Sequence, residues 1–229
     1  MVPTMSSDTI FSLVVAVRDL IHNLAGGSGE TRDIVSKLDE ILSAPERMIE
    51  PEAVIPDHVD ILNHAISSIP KDGNLHDLAT ALEAAKSDLH WRLDDGKFYA
   101  GDADIGDGYR HGNMHTMLVG PQASVFEEQD FLLGFFLLKP RVLYRDHKHP
   151  APELYIPLTG PSGWRFELSE WQDHGAGSVI WNSSEVVHAT RVYGTPFLAL
   201  FAWTRETDKI CEVVPADDWE TVERELSLT

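Results

Sequence analysis

Apolar and polar positions divide the chain near residue 90 into two stretches of different period. Before that point apolar residues recur at helical spacing. Ile10, Leu13, Val14, Val17, Leu20, Ile21 and Leu24 share one face of a segment that Ser7 and Asp8 can cap and that the run Gly26–Gly29 ends. Ile34, Val35, Leu38, Ile41 and Leu42 repeat the pattern over 31–42. Pro45, Pro51 and Pro56 punctuate the connection that follows, and shorter helices fit 59–69 and 74–89.

From Trp91 onward the period shortens to β-type runs between turn residues. The runs are 97–100, 114–119, 131–138, 141–149, 153–158, 164–168, 178–181, 186–193 and 197–203. Such regular spacing, broken by Gly and Pro, predicts a sandwich or barrel. The run over 131–138 is apolar at both parities, as a strand buried on both faces would be. The expected fold is therefore mainly β. Residues 1–90 form a helical N-terminal extension for packing or dimerisation, and residues 91–229 form a barrel whose strands end near Ala216. The stretch DADIGDG over 102–108 glances at a calcium loop, but its glycine and acidic offsets are out of order.

Composition narrows the partners. With 37 acidic against 18 basic residues and a net charge of −19, nucleic acid and anionic membrane surfaces are disfavoured, because both are bound through Lys and Arg. No window approaches the ~18 apolar residues of a membrane span. The single cysteine, Cys211, excludes an intramolecular disulfide and is read as incidental. The expected location is the cytoplasm.

The chemistry is concentrated in HKHPAPELYIPLTG, from His147 to Gly160, which reads H-x-H-x3-E-x6-G. His147 and His149 differ by two, so on a strand both point to one face. Glu153 and Tyr155 bear the same relation on the next strand, after a turn that Pro150 and Pro152 enforce, and His188 arrives from a third. Three imidazoles and a carboxylate suit one divalent transition metal, with Mn, Fe, Co, Ni and Zn all accommodated. His22, His58, His64 and His76 share no ligand spacing, and His111 and His115 are read as exposed.

The His147–Gly160 segment resembles the first motif of the cupin superfamily. The second motif is degenerate: Gly175, Gly177 and His188 remain, while its internal proline is missing. The resemblance implies a cupin jelly-roll barrel with His147, His149, Glu153 and His188 around one metal. More narrowly, Tyr144, His149, Glu153, Tyr155, His188 and Trp203 give Y-x4-H-x3-E-x-Y, then His, then a late Trp. This resembles the cupin-type dimethylsulfoniopropionate (DMSP) lyases of marine bacteria, and the helical extension and length are most similar to their longer L-type branch.

That resemblance implies a carbon–sulfur lyase that cleaves a small zwitterion to dimethyl sulfide and acrylate by β-elimination. A metal-held carboxylate acidifies the neighbouring C–H, and a tyrosine takes the proton. Tyr155 is the first candidate for that base and Tyr144 the second; Tyr144 has parity opposite to His149 and needs a bulge to reach the site. Aromatic faces should hold the sulfonium cation, with Trp203, Tyr193 and Trp181 as candidates and Phe201 read as core. A homodimer through the helical arm fits the same picture. Two other readings share the ligand set: a dioxygenase using iron and oxygen, and a non-enzymatic effector-binding cupin that would not need Tyr155.

Overall fold

The computed structural model describes residues 5–25, 29–54, 57–94, 96–121 and 124–228. Most of the expected stop at Gly26–Gly29 lies outside the described residues, as does Pro56. Four helices open the chain: α1 (Met5–Ala25), α2 (Gly29–Leu42), α3 (Val59–Ser67) and α4 (His76–Ala85). Ile10, Leu13, Val14, Val17, Leu20 and Ile21 of α1 are all buried, as the helical period requires. Each such side chain contributes about 1.5–3 kcal/mol through removal from water. No helix among the described residues is long and apolar enough to cross a membrane.

A short α5 (Asp107–Gly112) leads into the strands. These are β1 (Asn113–Gly120), β2 (Phe126–Glu127), β3 (Leu132–Leu138), β4 (Leu143–Lys148), β5 (Glu153–Pro157), β6 (Ser162–Phe166), β7 (Gln172–His174), β8 (Ile180–Asn182), β9 (His188–Val192), β10 (Phe197–Trp203) and β11 (Glu212–Val213). A last helix, α6 (Trp219–Leu228), follows. The expected run at 97–100 is no strand; Tyr99 makes only an isolated bridge to Cys211. The helix α6, on which the apolar pattern gave no hint, packs Trp219, Val222 and Leu226 against Leu143 of β4.

One sheet has the order β2-β1-β3-β10-β5-β8 and the other β11-β4-β9-β6-β7. The segments β3-β10-β5-β8 and β4-β9-β6-β7 interleave consecutive strands between two facing sheets, which is the jelly-roll of cupins. Among the described residues no strand pair joins the sheets, so the expected barrel is an open two-sheet sandwich.

Strand alternation decides what each face meets. On β3 and β10, Leu133, Phe135, Leu137, Leu198, Leu200 and Ala202 share one apolar cluster with the N-terminal helices. The opposite parity, Leu132, Phe136, Phe197, Phe201 and Trp203, turns into the space between the sheets. The central strand β3 is therefore buried along its whole length, because helices cover one face and the second sheet covers the other.

Candidate functional site

The three predicted histidines converge. His147 on β4 and His188 on β9 are direct cross-strand partners, with ring centroids 4.2 Å apart. His149, just past the end of β4, brings its ring to 5.1 Å from that of His188. Ligating nitrogens of all three lie within 4.8 Å of one another, and all three residues are buried. Each ring donates Nδ1–H to a backbone carbonyl: His147 to Arg145 at 2.8 Å, His149 to Ala151 at 2.8 Å and His188 to Val186 at 3.0 Å. That commitment leaves each Nε2 as a lone pair turned inward, the orientation metal-binding histidines need.

Glu153 enters from the facing sheet. Its neighbours across β5, Trp203 on β10 and Asn182 on β8, supply its donors. Trp203 Nε1 donates to Oε1 at 2.7 Å and Asn182 Nδ2 to Oε2 at 3.0 Å. Oε2 lies 3.3 Å from His149 Nε2 and 3.6 Å from His188 Nε2. With Nδ1 of both rings already donating, a neutral ring would set its Nε2 lone pair against the carboxylate oxygen, a contact that a proton on the ring or a metal ion between the groups reconciles. His188 Nε2 is buried without a hydrogen-bond partner. The residues therefore fit a metal ion. Burial raises the Glu153 carboxyl, but bonding and charge from His149 and His188 outweigh it and hold it well below the usual carboxylate range.

Tyr144 reaches the same pocket through a bulge. On β4, Tyr144 faces Thr190 and His147 faces His188, so three steps on one strand match two on its partner. Arg145 and Asp146 both turn away from the pocket. Arg145 donates Nη2–H to Glu223 at 2.9 Å. Asp146, fully buried, is gripped by Arg165 Nε at 2.8 Å and Trp219 Nε1 at 2.7 Å. Tyr144 and His147 are left on one face. The Tyr144 ring also stacks on Tyr109 with 4.4 Å between centroids, and its hydroxyl lies 2.6 Å from that of Tyr99.

Tyr144, Tyr155, His149, Glu153 and Trp203 line a single pocket with Phe98, Tyr99, Tyr109, Phe136 and Phe201. Burial raises the hydroxyl of Tyr155 well above its ordinary value, and the Glu153 charge adds to the effect. Tyr144 is raised too, first by burial. Either becomes a base only with a cation beside it. Burial, with His188 and His149 next in effect, keeps His147 well below the usual imidazole range and leaves it neutral for ligation.

Two predicted residues are placed elsewhere. Trp181 pairs with Leu154 on the face opposite Glu153 and packs against the helical cluster. Tyr193 lies five residues past His188, hence on the other face of its strand, and its hydroxyl donates to Asp173 at 2.6 Å. Neither lines the pocket. His115 is buried instead of exposed; it lines the pocket and accepts from Arg92 Nε at 2.9 Å. Phe201, read as core, forms pocket wall, and Cys211 does as well. Asn182, Asp94, Tyr99 and Tyr109 were not anticipated. Asn182 follows Trp181 on a short strand, and parity with Glu153 could have found it once the strand pairing was known.

The family model for dimethylsulfoniopropionate lyases matches residues 30–199. The DMSP lyase DddQ of Ruegeria pomeroyi is 36% identical over 85 residues, covering 37% of this chain. The match spans 40% of that relative's length. A crystal structure from work on the DMSP lyases RdDddP and RnDddQII superposes with a TM-score of 0.65 at 18% identity, covering 92% of this chain and 100% of that one. The structure of DddQ from Ruegeria pomeroyi gives 0.58 at 22% identity, covering 85% and 96%. At those identities the two structures show the shared fold. Because the family model spans most of its length, the chain belongs to the dimethylsulfoniopropionate lyase family.

Proposed function

We propose that the chain cleaves dimethylsulfoniopropionate to dimethyl sulfide and acrylate at a divalent transition metal held by His147, His149, Glu153 and His188. One observation carries this reading in a member of this family: three inward Nε2 lone pairs converge beside Glu153, and His149 and Glu153 open onto a pocket lined by Tyr144, Tyr155 and an aromatic wall. The bound metal would supply a positive charge that receives the substrate carboxylate and acidifies the adjacent C–H.

The chain's own groups do the rest. Tyr155, as phenolate, takes the α-proton; the C–H electron pair becomes the C=C bond, and the C–S pair leaves with dimethyl sulfide. Atoms and charge balance, since the zwitterion gives neutral sulfide and acrylate anion while the proton stays on Tyr155. Glu153 is the weaker base, because Trp203 and Asn182 donate to its two oxygens and stabilise its ionised form. The aromatic rings lining the pocket offer faces to the sulfonium while the apolar walls keep water from the phenolate.

The test is product stoichiometry. Metal-loaded protein given DMSP should release dimethyl sulfide and acrylate one to one without consuming oxygen. Oxygen consumption with an oxidised product would replace this reading with a dioxygenase.

A further inference from the structure

The pocket has two carboxylates and no lysine or arginine on its walls among the described residues. Glu153 is spoken for. Asp94 is the other, and it is 2% exposed. Its Oδ2 accepts from the Tyr109 hydroxyl at 2.7 Å and its Oδ1 from the Gly96 backbone N–H at 3.0 Å. Its main chain is clamped by Asn113, which accepts from Asp94 N at 2.7 Å and donates to Asp94 O at 2.8 Å. The nearest cation in sequence, Arg92, gives its Nε–H to His115 and meets the Asp94 charge only through space. No described basic side chain makes an ion pair with Asp94.

A carboxylate buried against a cavity with only neutral donors is costly even after relaxation. The fold nevertheless fixes it rigidly, with backbone and side chain both held. A ligand bringing its own positive charge removes that penalty. We propose that Asp94 is a specificity determinant, the countercharge that selects ligands carrying an onium group at the end remote from their carboxylate. The choice of ligand rests on the lyase reading. The pocket then reads a zwitterion at both ends: the histidine–Glu153 centre takes the anionic end, and Asp94, with the aromatic faces of Phe98, Tyr99 and Tyr109, takes the cationic one. A neutral thioether acid of the same shape gains nothing from Asp94.

Two inert ligands isolate the charge: 3-(dimethylammonio)propionate, and its neutral carbon isostere 4-methylpentanoate. Both present the same carboxylate, so the ratio of their dissociation constants reports the cationic end alone. Calorimetry on zinc-loaded protein should show the onium ligand binding about tenfold tighter or more, the scale of one charge pair in a partly screened site. In D94N, which keeps an acceptor for Tyr109, the ratio should collapse towards one. Asp94→Ser, read the same way, serves if D94N does not fold. A wild-type ratio near one overturns the assignment without any variant, and so does an undiminished ratio in a folded variant. If the wild type prefers the onium ligand yet releases no dimethyl sulfide from DMSP, the lyase reading fails and the cation site stands.

Discussion

Tyr144 stacks on His147 with 4.2 Å between ring centroids and 26° between planes, although they stand three positions apart on one strand. The bulge that permits this is held from outside by Asp146, bonded to Arg165 and Trp219. Asp146→Ala would leave a buried guanidinium with only Asp218 beside it, at a cost of about 3 kcal/mol. Chemical denaturation should show that loss. Turnover of the folded fraction should also fall, because the bulge relaxes and Tyr144 leaves the pocket. Full turnover in a destabilised Asp146→Ala protein would mean the bulge does not set the Tyr144 position.

Trp203 contributes a donor as well as a wall. Trp203→Phe keeps a ring beside His149, now 4.5 Å away between centroids, and removes only the N–H bonded to Glu153. Partners of ligating carboxylates typically account for 10–100-fold in metal affinity. Competition titration with a zinc chelator should show a loss in that range. Unchanged affinity would place Trp203 in substrate binding alone.

Trp181 gives the contrasting case. It faces the helices, so Trp181→Ala should lower stability by about 1–3 kcal/mol through lost burial and leave the KM for DMSP as it was. A raised KM with unchanged stability would return Trp181 to the substrate site.

His115 supplies a pH dependence. Burial, and then the Arg92 charge, pushes its imidazole down to about 3 from 6.5. Between those values the unfolded chain binds a proton that the folded chain refuses. Stability from this residue is complete above 6.5 and is lost as the pH falls, by up to about 1.4 kcal/mol per unit. His115→Gln keeps an acceptor for Arg92 and cannot titrate. Denaturation at pH 7 and pH 4 should show the variant losing less on acidification than the wild type, and equal losses would contradict the assignment.

Much of this architecture was legible in the chain. The helical period before residue 90 marks the buried face of α1 residue by residue, because a helix packed on a sheet shows one stripe. The H-x-H-x3-E-x-Y spacing places His147, Glu153 and Tyr155 inward, since a two-residue step preserves the face of a strand. Legibility ends where contacts are long-range. Asp94 comes from a loop far from the motif, and nothing local marks it as a pocket wall. Tyr193 is aromatic and near in sequence to His188, but its odd spacing from that residue puts it on the other face of the strand. The bulge at Arg145 and Asp146 depends on α6, whose polar sequence hides its one buried stripe of Trp219, Val222 and Leu226.

The most direct measurement is dimethyl sulfide release as a function of DMSP concentration, for wild type and Tyr155→Phe matched in metal content. Tyr155→Phe removes one hydroxyl and preserves the ring packed against Trp164 at 5.2 Å. The wild type should turn over and the variant should lose about 10²–10⁴ in kcat with little change in KM. Absence of dimethyl sulfide from wild type under every divalent metal would contradict the lyase reading, and a wild-type kcat in Tyr155→Phe would contradict its base.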